Sequence, residues 1–279
     1  MKRWIVIFIT MLIAGVFYLG NSIPTYDGLS KEETARMGPE FRYFTHTIDG
    51  QNLHGAATGD QSAPAVIFIH GTPGDWRAWG DYLGDAALWD KVFMIAVDRP
   101  GFGLSAAEGP IVDFKAQASA IIGAALREHP GPFILVGHSY GGPIQIQMAA
   151  DYPEHISGLI MLAGAIDPVL HKARWYHHLG GTWIGRAATS DVLEASIDEM
   201  LALPAQLEAQ NSALKGLTMP VTVIQGETDW LVPVGNADYA RENLKHANII
   251  VIEGQGHFLP WEQYTLVKAQ IFKHLEDQP

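Results

Sequence analysis

The clearest indication of the fold of this chain is a short stretch, Gly137-His138-Ser139-Tyr140-Gly141-Gly142. An apolar run at 132–136 precedes it and predicts a buried strand, and a helix-compatible run follows at 142–150. A strand, then Gly-x-Ser-x-Gly, then a helix is the setting that presents a nucleophilic serine on a sharp turn. Glycines at 137 and 141 omit the Cβ atoms that would clash across such a turn. Ser139 is therefore the candidate nucleophile, at a helix N-terminus that favours developing negative charge.

The chain on both sides of this stretch alternates between apolar strands and helical segments. A hairpin is predicted at 41–47 and 51–57, around Asp49-Gly50. Buried strands are predicted at 65–69, 92–97, 159–162, 221–224 and 249–252, and helices at 76–88, 111–128 and 260–274. This order predicts an α/β fold: a mostly parallel sheet with helices on both faces.

Each polar motif falls where a predicted strand ends, which is the edge where open α/β sheets bind ligands. The motifs are His70-Gly71-Thr72-Pro73-Gly74, the run 98–105, Gly226-Glu227-Thr228-Asp229 and Gly256-His257.

A serine needs a base to take its proton, and a base histidine needs a carboxylate to orient it. His257 follows the last predicted strand and is the candidate base. Asp229 is the first choice for the acid, and Asp167 is the alternative. The order Ser139, Asp229, His257 is the nucleophile, acid, histidine order typical of this architecture.

The oxyanion of the transition state needs backbone donors. The N–H of Tyr140 is one candidate, and the N–H of Thr72 is the other. His70 is interpreted as a structural loop residue, and Asp98 with Arg99 as a pair that fixes its own loop.

Residues 167–215 contain no predicted strand and are interpreted as a small helical lid. Its aromatic side chains at Trp175, Tyr176 and Trp183 are candidates for roofing the substrate pocket. The alternative is that they pack against the main domain as ordinary core.

Composition excludes several classes of function. The net charge of −12 makes nucleic acid a poor partner. The absence of cysteine excludes disulfides and thiol nucleophiles, and the 12 histidines show no convincing metal-ligand spacing. We therefore expect no metal site, and the oligomeric state stays open.

The N-terminus carries Lys2 and Arg3 before an apolar run at 4–19. No Ala-x-Ala cleavage site follows, so residues 1–23 are interpreted as an uncleaved signal-anchor, and a cleaved signal peptide is the alternative. The positive charges predict a catalytic domain outside the cytoplasm, periplasmic or extracytoplasmic. Residues 24–40 are predicted to be a linker, and 41–279 the catalytic domain.

Taken together, the quoted motifs resemble the α/β-hydrolase superfamily, from residue 41 to about 275. The resemblance implies an eight-stranded, mostly parallel sheet, a lid and usually no cofactor. The sharp turn at 137–141 is called the elbow below. Epoxide hydrolases and haloalkane dehalogenases place Asp there, where this chain has Ser139. Proline iminopeptidases usually have Gly in place of Thr72 and Trp in place of Tyr140.

The sequence therefore predicts a serine hydrolase that forms an acyl-enzyme, most simply a carboxylesterase acting on a small to medium apolar substrate. A carbon–carbon bond hydrolase, an amidase or a perhydrolase would use the same three residues. A non-catalytic ligand sensor on the same fold is a further alternative.

Overall fold

The computed structural model describes residues 36–37, 41–109, 111–187 and 189–276. The described residues form one eight-stranded sheet in the order β1-β2-β4-β3-β5-β6-β7-β8. The strands are β1 (Arg42–Ile48), β2 (Gln51–Thr58), β3 (Ala65–Ile69), β4 (Phe93–Val97), β5 (Phe133–His138), β6 (Ile156–Leu162), β7 (Val221–Gly226) and β8 (Asn248–Ile252). β2 pairs antiparallel with β1 and β4, and every other pair is parallel. The predicted α/β fold is confirmed.

The central strands explain why their sequences are continuously apolar. Every residue of β3 and β4 is buried, because helices cover both faces of the sheet. Side chains alternate between two apolar clusters, with Ile67 and Ile95 in one and Phe68 and Met94 in the other. The sheet is thus a rigid scaffold, and functional residues can lie on the loops at its carboxyl edge without disturbing the core.

Ten α-helices flank the sheet in the described part of the chain. They are α1 (Gly80–Leu83), α2 (Ala86–Trp89), α3 (Phe114–Glu128), α4 (Gly141–Asp151), α5 (Trp175–Gly180), α6 (Trp183–Arg186), α7 (Asp191–Lys215), α8 (Gly235–Asn243), α9 (Leu259–Glu262) and α10 (Tyr264–Glu276). Short 3₁₀ helices lie at Trp76–Trp79, Gly103–Glu108 and Pro153–His155.

Two predicted helices are broken, and both predictions are corrected. The segment 76–88 is a 3₁₀ helix followed by α1 and α2, because Asp85 starts a new helix by accepting a hydrogen bond from the N–H of Ala87. The segment 260–274 begins one residue earlier and breaks at Gln263 into α9 and α10.

Residues 167–215, interpreted above as a lid, hold α5, α6 and α7 and no strand among those described. α7 runs to Lys215 although Pro204 lies inside it. Its second half packs on the elbow helix α4, where the amide of Gln210 donates to the carbonyl of Pro143 at 2.8 Å. The long helix therefore fixes the lid segment to the element that follows the candidate nucleophile.

In the described part of the chain, no helix is both long and apolar enough to span a membrane. The predicted signal-anchor at 1–23 lies outside the described residues, as does most of the predicted linker.

Candidate active site

Ser139 lies on the sharp turn between β5 and α4, with a backbone φ of 54°. A left-handed backbone costs a non-glycine residue about 1–3 kcal/mol, and such strain is typical of functional sites. The Ser139 N–H donates to the carbonyl of Leu162 at 2.9 Å, which holds the turn against β6. A Cβ at Gly141 would lie 2.3 Å from the carbonyl oxygen of Ile69, so only glycine fits where the turn meets the end of β3.

His257 and Asp229 form a buried pair beside this turn. The Nδ1 of His257 lies 2.7 Å from Oδ2 of Asp229, and both side chains are almost fully buried. The other carboxylate oxygen of Asp229 accepts the N–H groups of Leu231 and Val232, each at 2.9 Å. These bonds fix the carboxylate, so Nδ1 of His257 is the protonated nitrogen and Nε2 is left as the basic one.

The alternative acid, Asp167, is placed differently. Its carboxylate accepts the N–H of Val169 at 2.7 Å, and its own N–H donates to Asn236 at 3.0 Å. Asp167 thus organises the start of the lid segment, while the carboxylate bonded to His257 is that of Asp229.

The loop after β3 lies directly against the elbow. A Cβ at Gly71 would lie 2.9 Å from the Cβ of Ser139, so the missing side chain permits this close approach. Among the described residues, the N–H groups of Thr72 and Tyr140 donate to no loop carbonyl or side chain. Both predicted oxyanion donors therefore lie on segments that touch Ser139 and have no competing acceptor there.

His138, the residue before the candidate nucleophile, connects the elbow to the loop that carries His257. Its Nε2 donates to the carbonyl of His257 at 2.9 Å, and the two imidazole rings lie 4.7 Å apart. Burial, reinforced by the neighbouring His257, lowers the pKa of His138 to about 3. His138 is therefore a neutral donor that holds the backbone of His257 in place.

Arg99 fixes the loop after β3 by hydrogen bonds to its backbone carbonyls. Its guanidinium is fully buried and donates to the carbonyls of His70 and Gly71, each at 2.9 Å. The charge is balanced by Glu199 of α7, whose carboxylate lies 2.5 Å from Nη1 and 3.0 Å from Nη2. The loop after β3 at 70–74, called the oxyanion loop below, and α7, called the lid helix, thus share one buried cation.

The same network makes His70 a structural residue. Its Nε2 accepts the N–H of Arg99 at 2.9 Å, so its Nδ1 carries the proton and donates to the carbonyl of Gly71 at 2.7 Å. Burial and the nearby Arg99 cation lower the pKa of His70 well below its usual value.

The predicted pairing of Asp98 with Arg99 is wrong. Asp98 instead lies 2.8 Å from Nδ1 of His54 and accepts the N–H of Trp76 at 2.8 Å, and Arg99 bonds Glu199. Asp98 turns its carboxylate toward β2 and the segment after β3, whereas Arg99 points toward the lid.

A cavity of about 240 Å³ opens over the elbow. Ser139 and His257 both line it, together with Thr72 of the oxyanion loop. The rest of its wall is largely apolar and includes Ala78, Trp79, Leu231, Phe258, Pro260 and Trp261. The nucleophile and the base candidates therefore face one small space.

A second cavity, of about 320 Å³, lies under the lid segment and shares Thr72, Pro73 and Leu231 with the first. Tyr176 lines this second cavity and not the one over Ser139. Trp175 and Trp183 line neither cavity and are 69% and 81% exposed, so their prediction as pocket residues is corrected. Trp175 and Trp183 are the first residues of α5 and α6, and these short helices contact α7 through other residues, such as Gly180 against Ile197 and Arg186 with Asp198.

No group of three or more His, Asp or Glu side chains within the described ranges could hold a metal ion. The residues around Ser139 instead offer a hydroxyl, an imidazole and backbone N–H groups, a set suited to acyl transfer.

Sequence reasoning missed the roles of His138 and Glu199. His138 stands inside the quoted motif, but its partner is a backbone carbonyl 119 positions away. Glu199 is 100 positions from Arg99, and its place in an otherwise ordinary helix gives no local signal.

Comparison with known proteins agrees with the fold described above. A model of the alpha/beta hydrolase family matches residues 66–269. A pyrrolizixenacetamide deacetylase from Xenorhabdus hominickii is 36% identical over 107 residues, which are 38% of this chain and 39% of that protein. A proline iminopeptidase from Pestalotiopsis fici is 26% identical over 276 residues, covering 82% of this chain and 98% of its own.

Among solved structures, a putative aryl esterase from Burkholderia cenocepacia superposes with a TM-score of 0.68 at 21% identity, over 85% of this chain and all of that one. The solved structure shares the fold of this chain, and the printed names of these proteins cover more than one hydrolytic activity. With nearly three quarters of its length matched by the family model, the chain belongs to the alpha/beta hydrolase family.

Proposed function

We propose that this protein is a serine hydrolase that cleaves carboxylic esters of small to medium apolar substrates through an acyl-enzyme. One observation carries the proposal. His257, which contacts the buried Asp229 at 2.7 Å, lines the same cavity as a strained serine.

In the proposed reaction, Ser139 Oγ attacks the substrate carbonyl and gives its proton to Nε2 of His257. The Asp229 carboxylate stabilises the resulting imidazolium, and the N–H groups of Thr72 and Tyr140 stabilise the oxyanion. Collapse of the tetrahedral intermediate breaks the ester bond, and the imidazolium protonates the leaving alcohol. Water, activated by the same imidazole, then releases the acid and frees Ser139.

The substrate size follows from the cavity. Its volume of about 240 Å³ lies at the small end for ligand sites. Trp79, Phe258 and Trp261 give it an apolar wall. A short acyl group fits such a space, whereas a long chain would have to leave it.

Amide hydrolysis is the second candidate. The deacetylase from Xenorhabdus hominickii, which is 36% identical over its matched stretch, favours it. The same three residues serve either bond, and the relative rates on matched ester and amide substrates separate the two.

The proposal also places the protein at a membrane, through residues 1–23, with the catalytic domain outside the cytoplasm. Lys2 and Arg3 before the apolar run at 4–19 support this orientation. The full chain should resist carbonate extraction, and release of a shortened soluble form would show a cleaved signal peptide instead.

An active-site probe tests the central proposal. An alkyl fluorophosphonate should label the purified protein at Ser139, and Ser139→Ala should abolish both labelling and turnover of an aryl ester. Loss of a triad nucleophile costs on the order of 10⁶ in kcat. Labelling without turnover would identify a ligand sensor, and labelling that survives Ser139→Ala would reject the nucleophile.

A further inference from the structure

The first half of the lid segment differs in charge from the rest of the protein. Residues 168–187 contain Lys172, Arg174 and Arg186 and no Asp or Glu, in a chain of net charge −12. Arg186 is paired with Glu194 and Asp198 of α7. No carboxylate among the described residues forms an ion pair with Lys172 or Arg174, so this face carries uncompensated positive charge.

The same half also exposes large apolar side chains. We call this surface the lid face; it comprises Val169, Leu170, Lys172, Arg174, Trp175, Leu179, Trp183 and Ile184, all of them exposed. The six large apolar side chains in this set fall within 16 consecutive residues, and soluble proteins rarely expose apolar side chains so densely. Tryptophan beside Lys and Arg is the composition of surfaces that lie in the interface of a bilayer.

Apolar residues connect the lid face to the entrance of the cavity over Ser139, which is called the mouth below. The guanidinium of Arg174 lies 5.6 Å from the centre of the Trp230 ring and donates to the Trp230 carbonyl. Leu231, the next residue, lines both cavities, and the exposed Phe258 and Trp261 line the cavity over Ser139. A surface that covered the lid face would therefore also cover the entrance.

The N-terminal linker enters the domain on this side. Arg36 and Met37 border a surface cavity together with Trp261, which also lines the cavity over Ser139. The 12 residues from 24 to 35 span at most about 40 Å when extended. If residues 1–23 lie in a bilayer, the linker holds the mouth close to that bilayer.

We propose that the lid face docks onto a bilayer surface that carries anionic headgroups. Lys172 and Arg174 pair with the headgroup phosphates, and Trp175, Trp183 and Ile184 enter the boundary between headgroups and acyl chains. Docking turns the mouth toward the lipid, so the preferred esters are apolar molecules that partition into the membrane. The inference goes beyond the proposed reaction, because binding of the lid face does not require turnover.

The absence of cysteine allows a direct test on the full chain. Ile184→Cys is labelled with a polarity-sensitive, thiol-reactive dye. Glu154→Cys is the matched control, because Glu154 is also exposed but precedes β6, at the opposite edge of the sheet. Each labelled protein is mixed with vesicles of phosphatidylcholine alone, or of phosphatidylcholine with phosphatidylglycerol.

With anionic vesicles, the emission of the dye at position 184 should shift to the blue and be quenched by brominated lipid, while the dye at 154 stays in water. Adding Arg174→Gln should reduce partition of the 184 label about fivefold, and high salt should reduce it further. Flotation of the chain with neutral vesicles reports on the tether at 1–23 separately, so its failure is distinguishable from failure of the lid face.

A 184 label that stays in water with anionic vesicles would overturn the proposal, whether or not the chain floats with them. An equal shift on neutral vesicles would overturn the anionic assignment. A shift without vesicles that grows with protein concentration would show that a second copy covers the lid face, and would also overturn it.

Discussion

Replacing Glu199 by glutamine should destabilise the protein far more than the same change at Glu194, which lies five residues earlier on the same helix, because Glu199 is buried and Glu194 is partly exposed. Glu199 is 1% exposed and bonds Arg99, which is fully buried. Glu194 also lies on α7 and pairs with Arg186, but both of those side chains are about one third exposed. The two substitutions thus differ chiefly in the burial of the charge that they leave behind.

The size of the effect follows from the contacts. The guanidinium of Arg99 has no exposure to water, and Glu199→Gln removes the only carboxylate that bonds it among the described residues. Breaking a buried pair in this way costs about 3–5 kcal/mol, whereas an exposed pair contributes about 0–1 kcal/mol. For a domain of this size the buried case corresponds to a fall in Tm of about 6–20 °C.

The same network should also affect kcat. The guanidinium of Arg99 donates to the carbonyls of His70 and Gly71, just before the proposed oxyanion donor Thr72. The double variant Arg99→Met/Glu199→Leu replaces the ion pair by apolar groups and should recover most of the lost stability. Its kcat should nevertheless fall about 10²-fold, because a displacement of about 1 Å in the loop is that costly.

Calorimetry and aryl-ester kinetics on the wild type and the three variants measure both effects. Equal Tm values for Glu199→Gln and Glu194→Gln would refute the burial argument. A double variant with unchanged kcat would show that Arg99 stabilises the fold without positioning the oxyanion loop.

Three further predictions concern the candidate site. Asp229→Asn should lower kcat by on the order of 10⁴, because His257 loses the partner that fixes its tautomer, while Asp167→Asn should change kcat little; reversed results would move the acid to Asp167. In the folded protein, burial lowers the pKa of His138 to about 3 and the ring is neutral, whereas in the unfolded chain the ring binds a proton below about pH 6.5. The free energy of unfolding of the wild type therefore decreases as the pH is lowered through this range. Between pH 8 and 5 this loss is about 2 kcal/mol, and His138→Gln should remove it, as denaturant unfolding at both pH values would show. Hydrolysis rates on aryl esters from acetyl to palmitoyl should peak among the short chains, and a maximum at the long end would contradict the cavity of about 240 Å³ as the acyl site.

The sheet could be predicted because its signals are local. Each buried strand is a short apolar run with a polar motif at its end, and β3 matches its predicted bounds, 65–69. Helix breaks were harder to predict, because an aspartate such as Asp85 either ends one helix or caps the next. The periodicity around it is the same in both cases.

The side chains proposed for catalysis could be located from the sequence because parallel strands bring their carboxyl ends to one edge. The supporting contacts could not, since they join residues that share no local pattern. Arg99 was assigned to Asp98 by proximity in sequence, whereas the structure pairs it with Glu199 of α7. The two tryptophans assigned to the pocket, Trp175 and Trp183, are apolar enough to line it, but only tertiary structure shows which way they face.

The two supporting side chains act on the backbone, and this determines how the site responds to change. His138 bonds the carbonyl of His257, and Arg99 bonds the carbonyls of His70 and Gly71. Neither touches the proposed reacting atoms, yet each fixes a loop that presents one of them. His138 must be neutral to avoid placing a second buried positive charge beside the His257 imidazolium that forms in the proposed reaction, and burial keeps it so.

Arg99 is charged and therefore needs a carboxylate, which the lid helix supplies. The alignment of the oxyanion loop is consequently tied to the seating of α7, so changes that loosen the lid helix should reduce kcat even where they leave Ser139, Asp229 and His257 intact.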